Sequence, residues 1–115
     1  MRGNVVIIDF PFTDSSASKV RPALVIQNDA DNARLRKTIV VMITGNLRMT
    51  RDPKHILVDP ATAEGTSSGL HGPSLVSCGN LFTVEQDAII RAIGHLASHT
   101  MLQIDQCLKL ALGIV

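Results

Sequence analysis

The sequence predicts a small, mainly β domain, a barrel or a sandwich, with one helix at its C-terminal end. Three observations carry this. Short apolar, β-branched runs recur between turn residues along the first two thirds of the chain, the spacing of an all-β domain. The apolar period then becomes helical after Thr100. The 115 residues, 45% of them apolar, suffice for one core, so positions 1–115 are expected to form a single domain.

The elements follow in order. Val5 to Ile8 is a β-branched run closed by Asp9, and Phe10-Pro11-Phe12 breaks it. The N-terminus MRGNVVIIDF lacks a small-residue cleavage site and reads as this first strand, not as a signal peptide. Thr13 to Lys19 (TDSSASK) is a polar loop. Val20 to Asn28 is the second strand, and a short turn is expected at Asp29 to Asn32. Thr38 to Thr44 (TIVVMIT) is the most strand-like segment, and the basic loop Gly45 to Pro53 follows it. His55 to Val58 is a short strand ended by Asp59-Pro60. Ala61 to Gly72 reads as loop, and Pro73 to Cys78 as another strand. Thr83 to Gln86 has the form of a capping box and predicts a brief helical turn. Ala92 to Leu96 completes the strands. Thr100 to Leu112 is the helix: Met101, Ile104, Leu108 and Ala111 share one face, Thr100 with Gln103 forms a cap, and Gly113 stops it. Leu102 and Leu110 lie off that stripe, a second apolar flank suited to a partner subunit.

Composition excludes several classes. No apolar run reaches the ~18 residues of a membrane span. The net charge is only +1, but eight Lys/Arg face three Asp between Lys19 and Lys54. That local excess of +5 suits an anionic polymer, and equally a set of solvated loops. It disfavours a barrel built for a small apolar ligand. Three Phe, with no Tyr or Trp, make aromatic stacking on bases a poor general grip. Phe10, Phe12 and Phe82 read most simply as core or groove-lining residues. Cys78 and Cys107 lack CxxC spacing, and the four histidines, His55, His71, His95 and His99, show no ligand motif. Reduced thiols in a cytoplasm are the default expectation.

Two residues invite chemistry. Pro22 forces the residue before it into extended geometry and opens a strand without an N–H. Arg21 is thereby held stiffly at a strand mouth beside a polar loop, an arrangement suited to an anion. The plainer alternative is a surface ion pair with Asp9 or Asp14. Thr44 ends the strand TIVVMIT and opens the basic loop. Its hydroxyl is placed to meet a phosphate or a developing oxyanion, although threonine is also an ordinary strand residue.

Read together, RGNVVIIDFPFTDSSASKVRPALVIQND at 2–29, IVVMITGN at 39–46, GLHGPSLVSCGNLFTVEQ at 69–86 and IGHL at 93–96 resemble the PemK/MazF toxins, the mRNA interferases of bacterial type II toxin–antitoxin pairs. The resemblance implies an SH3-like β-barrel with a terminal helix, working as a homodimer. It implies a cytoplasmic endoribonuclease that cuts single-stranded mRNA without metal or other cofactor, through 2′-hydroxyl attack, giving 2′,3′-cyclic phosphate and 5′-hydroxyl ends. Arg21 and Thr44 take the catalytic positions. RNA contacts are expected from Thr13, Asp14, Lys19, Asn46, Arg48, Arg51, Asn80 and Phe82. The implied partners are single-stranded RNA and a cognate antitoxin, with operator DNA bound only by the toxin–antitoxin complex, and no membrane. The alternative within the family is a non-catalytic barrel that binds nucleic acid or protein in autoregulation.

One departure stands out. Many relatives carry Asp-Gln-x-Arg-Thr where this chain has Gly79-Asn80-Leu81-Phe82-Thr83. An acid and a base are lost and an amide is kept, so base preference is expected to differ. The general base is left open between Glu85 and a histidine.

Overall fold

The computed structural model describes residues 1–10 and 19–115. Among the described residues there are six strands: β1 (Asn4–Phe10), β2 (Lys19–Val25), β3 (Lys37–Thr44), β4 (His55–Val58), β5 (Ser74–Glu85) and β6 (Ile89–His95). Two helices accompany them, α1 (Asp29–Arg34) and α2 (Ser98–Leu112), with 3-10 turns at Thr66–Ser68 and Gln86–Ala88. The strands form one antiparallel sheet in the order β4-β5-β3-β2-β1-β6. The expected mainly β fold with a C-terminal helix is therefore present. The sheet does not close as a hydrogen-bonded barrel, because β4 and β6 remain its two edges. It curls instead, with irregular register along β1–β6, and bulges of this kind bend strands.

The alternation of side chains divides the sheet into two faces. On one, Val5, Leu24, Val41, Ile43, Val76 and Cys78 pack against Ile104 and Cys107 of α2. On the other, Val6, Ile8, Phe10, Ala23, Val25 and Val40 form a second cluster with Met42, Val84, Ala88 and Ile89 around it. A single sheet thus supports two small cores.

Several expected boundaries move. β2 stops at Val25, because Asn28 turns out to be a helix cap: its Oδ1 accepts the Asp31 N–H at 2.8 Å, and α1 replaces the expected turn. β5 runs well past Cys78. Thr83 pairs with Ile39 and Val84 with Thr38, so Thr83 is strand and not a cap, and the expected helical turn comes at Gln86–Ala88. The side chain of Gln86 instead donates to Asn32 O and Leu35 O, both at 2.8 Å, satisfying carbonyls at the end of α1. β6 begins three residues before Ala92. α2 starts at Ser98 with no side-chain cap, and Thr100 is buried within its first turn.

The stop at Gly113 is as expected. With φ of 71°, it donates to Leu110 O at 3.3 Å, and Ile114 donates to Lys109 O at 2.9 Å, the paired bonds of a Schellman end. Met101, Leu108 and Ala111 pack on the helix-side core, while Leu102 and Leu110 are exposed. Arg2 ties this helix to the N-terminus, donating to Asp105 Oδ1 at 2.6 Å and to Ile26 O at 2.8 Å.

Candidate functional site

β2 and β3 pair in the register Ala23–Met42, Leu24–Val41 and Val25–Val40. Continued two residues outward, that register sets Arg21 opposite Thr44. Both lie on the face away from α2, beyond the rim of the second cluster. Here the sheet opens a hollow of about 390 Å³, bordered by Arg21, Met42, Thr44, Asn46, Arg48, Met49, His55, Ser77 and Asn80. Residues from β2, β3, β4, β5 and the basic loop converge on it.

Each polar group has a local reason for its place. Thr44 Oγ1 accepts the Asn46 N–H at 3.1 Å, and Asn46 Oδ1 accepts the Arg48 N–H at 3.0 Å. These two side-chain-to-backbone bonds fold the start of the loop. They leave the Thr44 hydroxyl hydrogen and the Asn46 amide hydrogens available to a ligand. Arg21 is half-buried, and among the described residues no ion pair holds it. It does not pair with Asp9; Asp14 lies outside the described residues. Among the described residues the hollow is bordered by two arginines and no carboxylate.

Asn80 owes its position to an irregularity in β5. Val41 pairs with Leu81, yet the next residue, Met42, pairs with Ser77. Cys78, Gly79 and Asn80 are therefore extra residues bulged out of the ladder beside the hollow. Asn80 Nδ2 donates to Ser77 Oγ at 2.8 Å, and Ser77 Oγ lies 3.1 Å from His55 Nε2. His55 and Ser77 are ladder partners. His55 Nδ1 is buried without a hydrogen bond, 3.8 Å from Asp52 Oδ1. The Lys54 backbone N–H, 2.9 Å from Asp52 Oδ1, holds the Asp52 carboxyl below the usual aspartate range, against a smaller opposing effect of burial.

The structure thus gathers Arg21, Thr44, Asn46, Arg48 and Asn80 around one hollow. The remaining sequence candidates lie elsewhere. Arg51 is exposed in the turn beyond Arg48 and does not border the hollow. Phe82 borders a second hollow with Asp9, Phe10, Lys37 and Glu85, its ring edge-on to Phe10 at 5.5 Å. Met42 of the first hollow and Phe10 of the second both pack in the second cluster, so the two openings share one face of the sheet. Thr13 and Asp14 lie outside the described residues, and only the backbone of Lys19 is described. Among the described residues no group of three or more His, Cys, Asp or Glu is arranged to hold a metal ion, and no helix is long and apolar enough to cross a membrane.

Sequence reasoning missed His55 and Ser77. The signal available was Gly79, an isolated glycine in a strand pattern, which marks a bulge. The bulge is what brings Asn80 back onto Ser77.

Comparison with known proteins agrees with this architecture. A family described as PemK-like, MazF-like toxin of type II toxin-antitoxin system matches residues 1–112. The chain is 29% identical over 115 residues to the Endoribonuclease EndoA of Bacillus subtilis (strain 168), covering 99% of this chain and 95% of that protein. Its fold is similar to that of an endoribonuclease in complex with its cognate antitoxin from Mycobacterial species, with TM-score 0.80, 24% identity, and coverage of 100% of this chain and 96% of the other. It is also similar to MazE-MazF (Form-III) from Deinococcus radiodurans, with TM-score 0.78, 16% identity, and coverage of 99% and 96%. With the family match spanning all but the last three residues, the chain belongs to the PemK-like, MazF-like toxins of type II toxin–antitoxin systems.

Proposed function

We propose that this toxin is an endoribonuclease that cleaves single-stranded mRNA at the hollow bordered by Arg21 and Thr44. The observation that carries the reading is the convergence of Arg21, Thr44, Asn46, Arg48 and Asn80 on one opening, with no carboxylate at its border among the described residues. The name of the Bacillus subtilis relative, an endoribonuclease, supports it.

In this reading the ribose 2′-oxygen attacks the adjacent phosphorus and the P–O5′ bond breaks. The 2′-hydroxyl gives up its proton and the departing O5′ gains one. The products are a 2′,3′-cyclic phosphate and a 5′-hydroxyl. Arg21 donates to the phosphorane oxygens as their charge grows and supplies the leaving oxygen's proton. The Thr44 hydroxyl, whose acceptor side is taken by Asn46, donates to a non-bridging oxygen. Arg48 and Asn46 hold the flanking backbone and Asn80 faces a base. Arg51 and Lys19 add long-range attraction, while Phe82 offers one apolar rim on the second hollow. Glu85 belongs to that second hollow and is too far along β5 to act as base here. All the charge stabilisation in this scheme comes from protein side chains.

The toxin works as a homodimer in the cytoplasm, the exposed Leu102 and Leu110 of α2 being candidate contact residues. A cognate antitoxin silences it by laying an acidic, partly disordered tail over Arg21 and the basic loop. The structural relative in complex with its antitoxin supports such a partner. Operator DNA is bound only by the pair.

The test is incubation of purified protein with single-stranded RNA in the presence of a chelator, with analysis of the new ends. Cyclic phosphate and 5′-hydroxyl ends support the enzyme. Binding without cleavage overturns it in favour of a non-catalytic autoregulatory module.

A further inference from the structure

The second hollow, of about 340 Å³, combines an aromatic wall with a polar rim. Phe82 forms the wall. Its residue is 41% exposed, and the buried Phe10 braces it edge-on, with ring centroids 5.5 Å apart. Val84 and Ala88 continue the apolar lining. A braced ring left partly open is a surface on which another flat ring stacks at little cost in conformational entropy.

The rim supplies both kinds of hydrogen-bonding group. Lys37 and Glu85 are partners at the end of the β3–β5 ladder, and both are exposed. Among the described residues neither makes an ion pair. Asp9 borders the same hollow, and its Oδ1 is buried with no hydrogen-bond partner among the described residues. The last torsion of a carboxyl side chain is soft, so rotation about it exchanges the two oxygens and turns the unmet one to the hollow. A buried acceptor without a partner is costly, and a donor arriving through the hollow removes that cost.

These groups discriminate among occupants. A phosphate, or an acidic side chain of an antitoxin, would meet two carboxylates and one ammonium. A neutral flat base meets the face of Phe82. At the base's edge a carboxylate only accepts and an ammonium only donates. Among the four RNA bases, guanine presents two adjacent donors, N1–H and the N2 amine, beside the acceptor O6. Adenine and cytosine set one amine beside an unprotonated ring nitrogen, which repels a carboxylate. Uracil flanks its single N–H with two carbonyls.

We propose that the second hollow is a base subsite for an unpaired guanine of the RNA, stacked on Phe82, with Asp9 accepting from its N1 and N2 and Lys37 donating to its O6. This rests on the endoribonuclease reading above. The two hollows are close: Arg21 is the ladder partner of Ile8, and Phe10 follows two residues further along β1, about 7 Å along the strand. The guanine therefore lies within a nucleotide or two of the phosphate held at Arg21. Phe82 and Asp9 decide which RNA is cut; neither touches the reacting phosphate.

Two measurements test the subsite. The first needs no cleavage. Proton NMR follows the phenylalanine rings, and three Phe with no Tyr or Trp keep that region of the spectrum simple. Guanosine 5′-monophosphate should shift the Phe82 ring protons, and inosine 5′-monophosphate, which lacks the amine, should bind at least about fivefold more weakly. Asp9→Asn should abolish that difference. Phe82 protons that respond to no nucleotide, or equally to the monophosphates of all four bases, overturn the inference. Phe82 protons that respond to N-acetylphenylalanine amide and to no nucleotide assign the hollow to a protein partner and overturn it too. The second measurement is cleavage of a randomised single-stranded RNA pool, read by sequencing the new ends. Guanine should be preferred about fivefold or more at one position near the cut, and Phe82→Leu, which keeps the apolar bulk, should spread its cuts over all four bases there. A parent without a guanine preference, or a Phe82→Leu chain that keeps it, overturns the inference. If guanosine monophosphate binds at Phe82 and RNA is not cut, the enzymatic reading fails and the subsite stands.

Discussion

Thr44 Oγ1 accepts the backbone N–H of Asn46 at 3.1 Å, so one hydroxyl both folds the start of the basic loop and points its hydrogen away from it. Thr44→Val keeps the shape and removes both capacities. Cleavage should fall by about 10²- to 10³-fold, the usual cost of one oxyanion donor. Thr44→Ser keeps the hydroxyl and should stay within about tenfold of the parent. Single-turnover cleavage of a defined RNA decides this. A Val variant as fast as the parent removes Thr44 from the chemistry.

Gly94 lies in the IGHL stretch, and its place explains the residue type. A Cβ there would overlap the backbone of Ser67 and Ser68, where the 3-10 turn presses on β6. Gly94→Ala should cost about 1–3 kcal/mol as overpacking, a fall in Tm of roughly 4 °C or more. Gly72→Ala meets open space and should change stability by less than about 0.5 kcal/mol. Thermal melting of both variants gives the comparison, and equal Tm values for the two count against a tight contact.

The fold was most legible where local and tertiary preferences agree. TIVVMIT sends Val41 and Ile43 into one core and Val40 and Met42 into the other, and it is strand along its whole length. Gly113 adopts the left-handed backbone that its position after Leu112 suggests. Thr83 to Gln86 announces a helical turn that does follow, at Gln86–Ala88, but Thr83 is not its cap, because pairing with β3 keeps Thr83 to Glu85 in the strand. The site divides in the same way. Arg21 is marked by Pro22 beside it, and Thr44 by the end of its strand. His55 and Ser77 are 22 positions apart and meet only through the β4–β5 register. Phe82 stands where many relatives carry an arginine, which is why the motif points to it as an RNA contact. The bulge at Cys78 to Asn80 places it on a different hollow.

Cys78 is fully buried, and burial, followed by its contact with Cys107, raises its thiol well above the ordinary range. It should resist alkylation at about pH 8 in the folded protein and react once the chain is unfolded. The sign for stability follows from the unfolded thiol ionising first. Stability from Cys78 is complete below its unfolded pKa of about 8.5 and declines as pH rises above it. The advantage of the parent over Cys78→Ala should shrink by about 1.4 kcal/mol per pH unit there. Urea melts at about pH 7.5 and 10 measure this, and a constant difference would sink the argument.

Arg21→Lys should disable cleavage nearly as badly as Arg21→Ala while leaving the fold intact. The phosphorane gathers negative charge on more than one oxygen, and a guanidinium donates to two of them in one plane. An ammonium acts as a point charge on a more flexible stem. Pro22 holds the backbone of Arg21 extended, so the chain has little freedom to carry a lysine into the guanidinium's position. Loss of such a donor costs about 3–4 kcal/mol, roughly 10²- to 10³-fold in rate. Arg21 is half-buried and has no ion pair among the described residues, so the exchange should move stability by less than about 1 kcal/mol. Cleavage and thermal melting are to be measured side by side. If Arg21→Lys keeps more than about a tenth of the parent rate, Arg21 is not the residue that clamps the transition state, and the catalytic assignment falls with it.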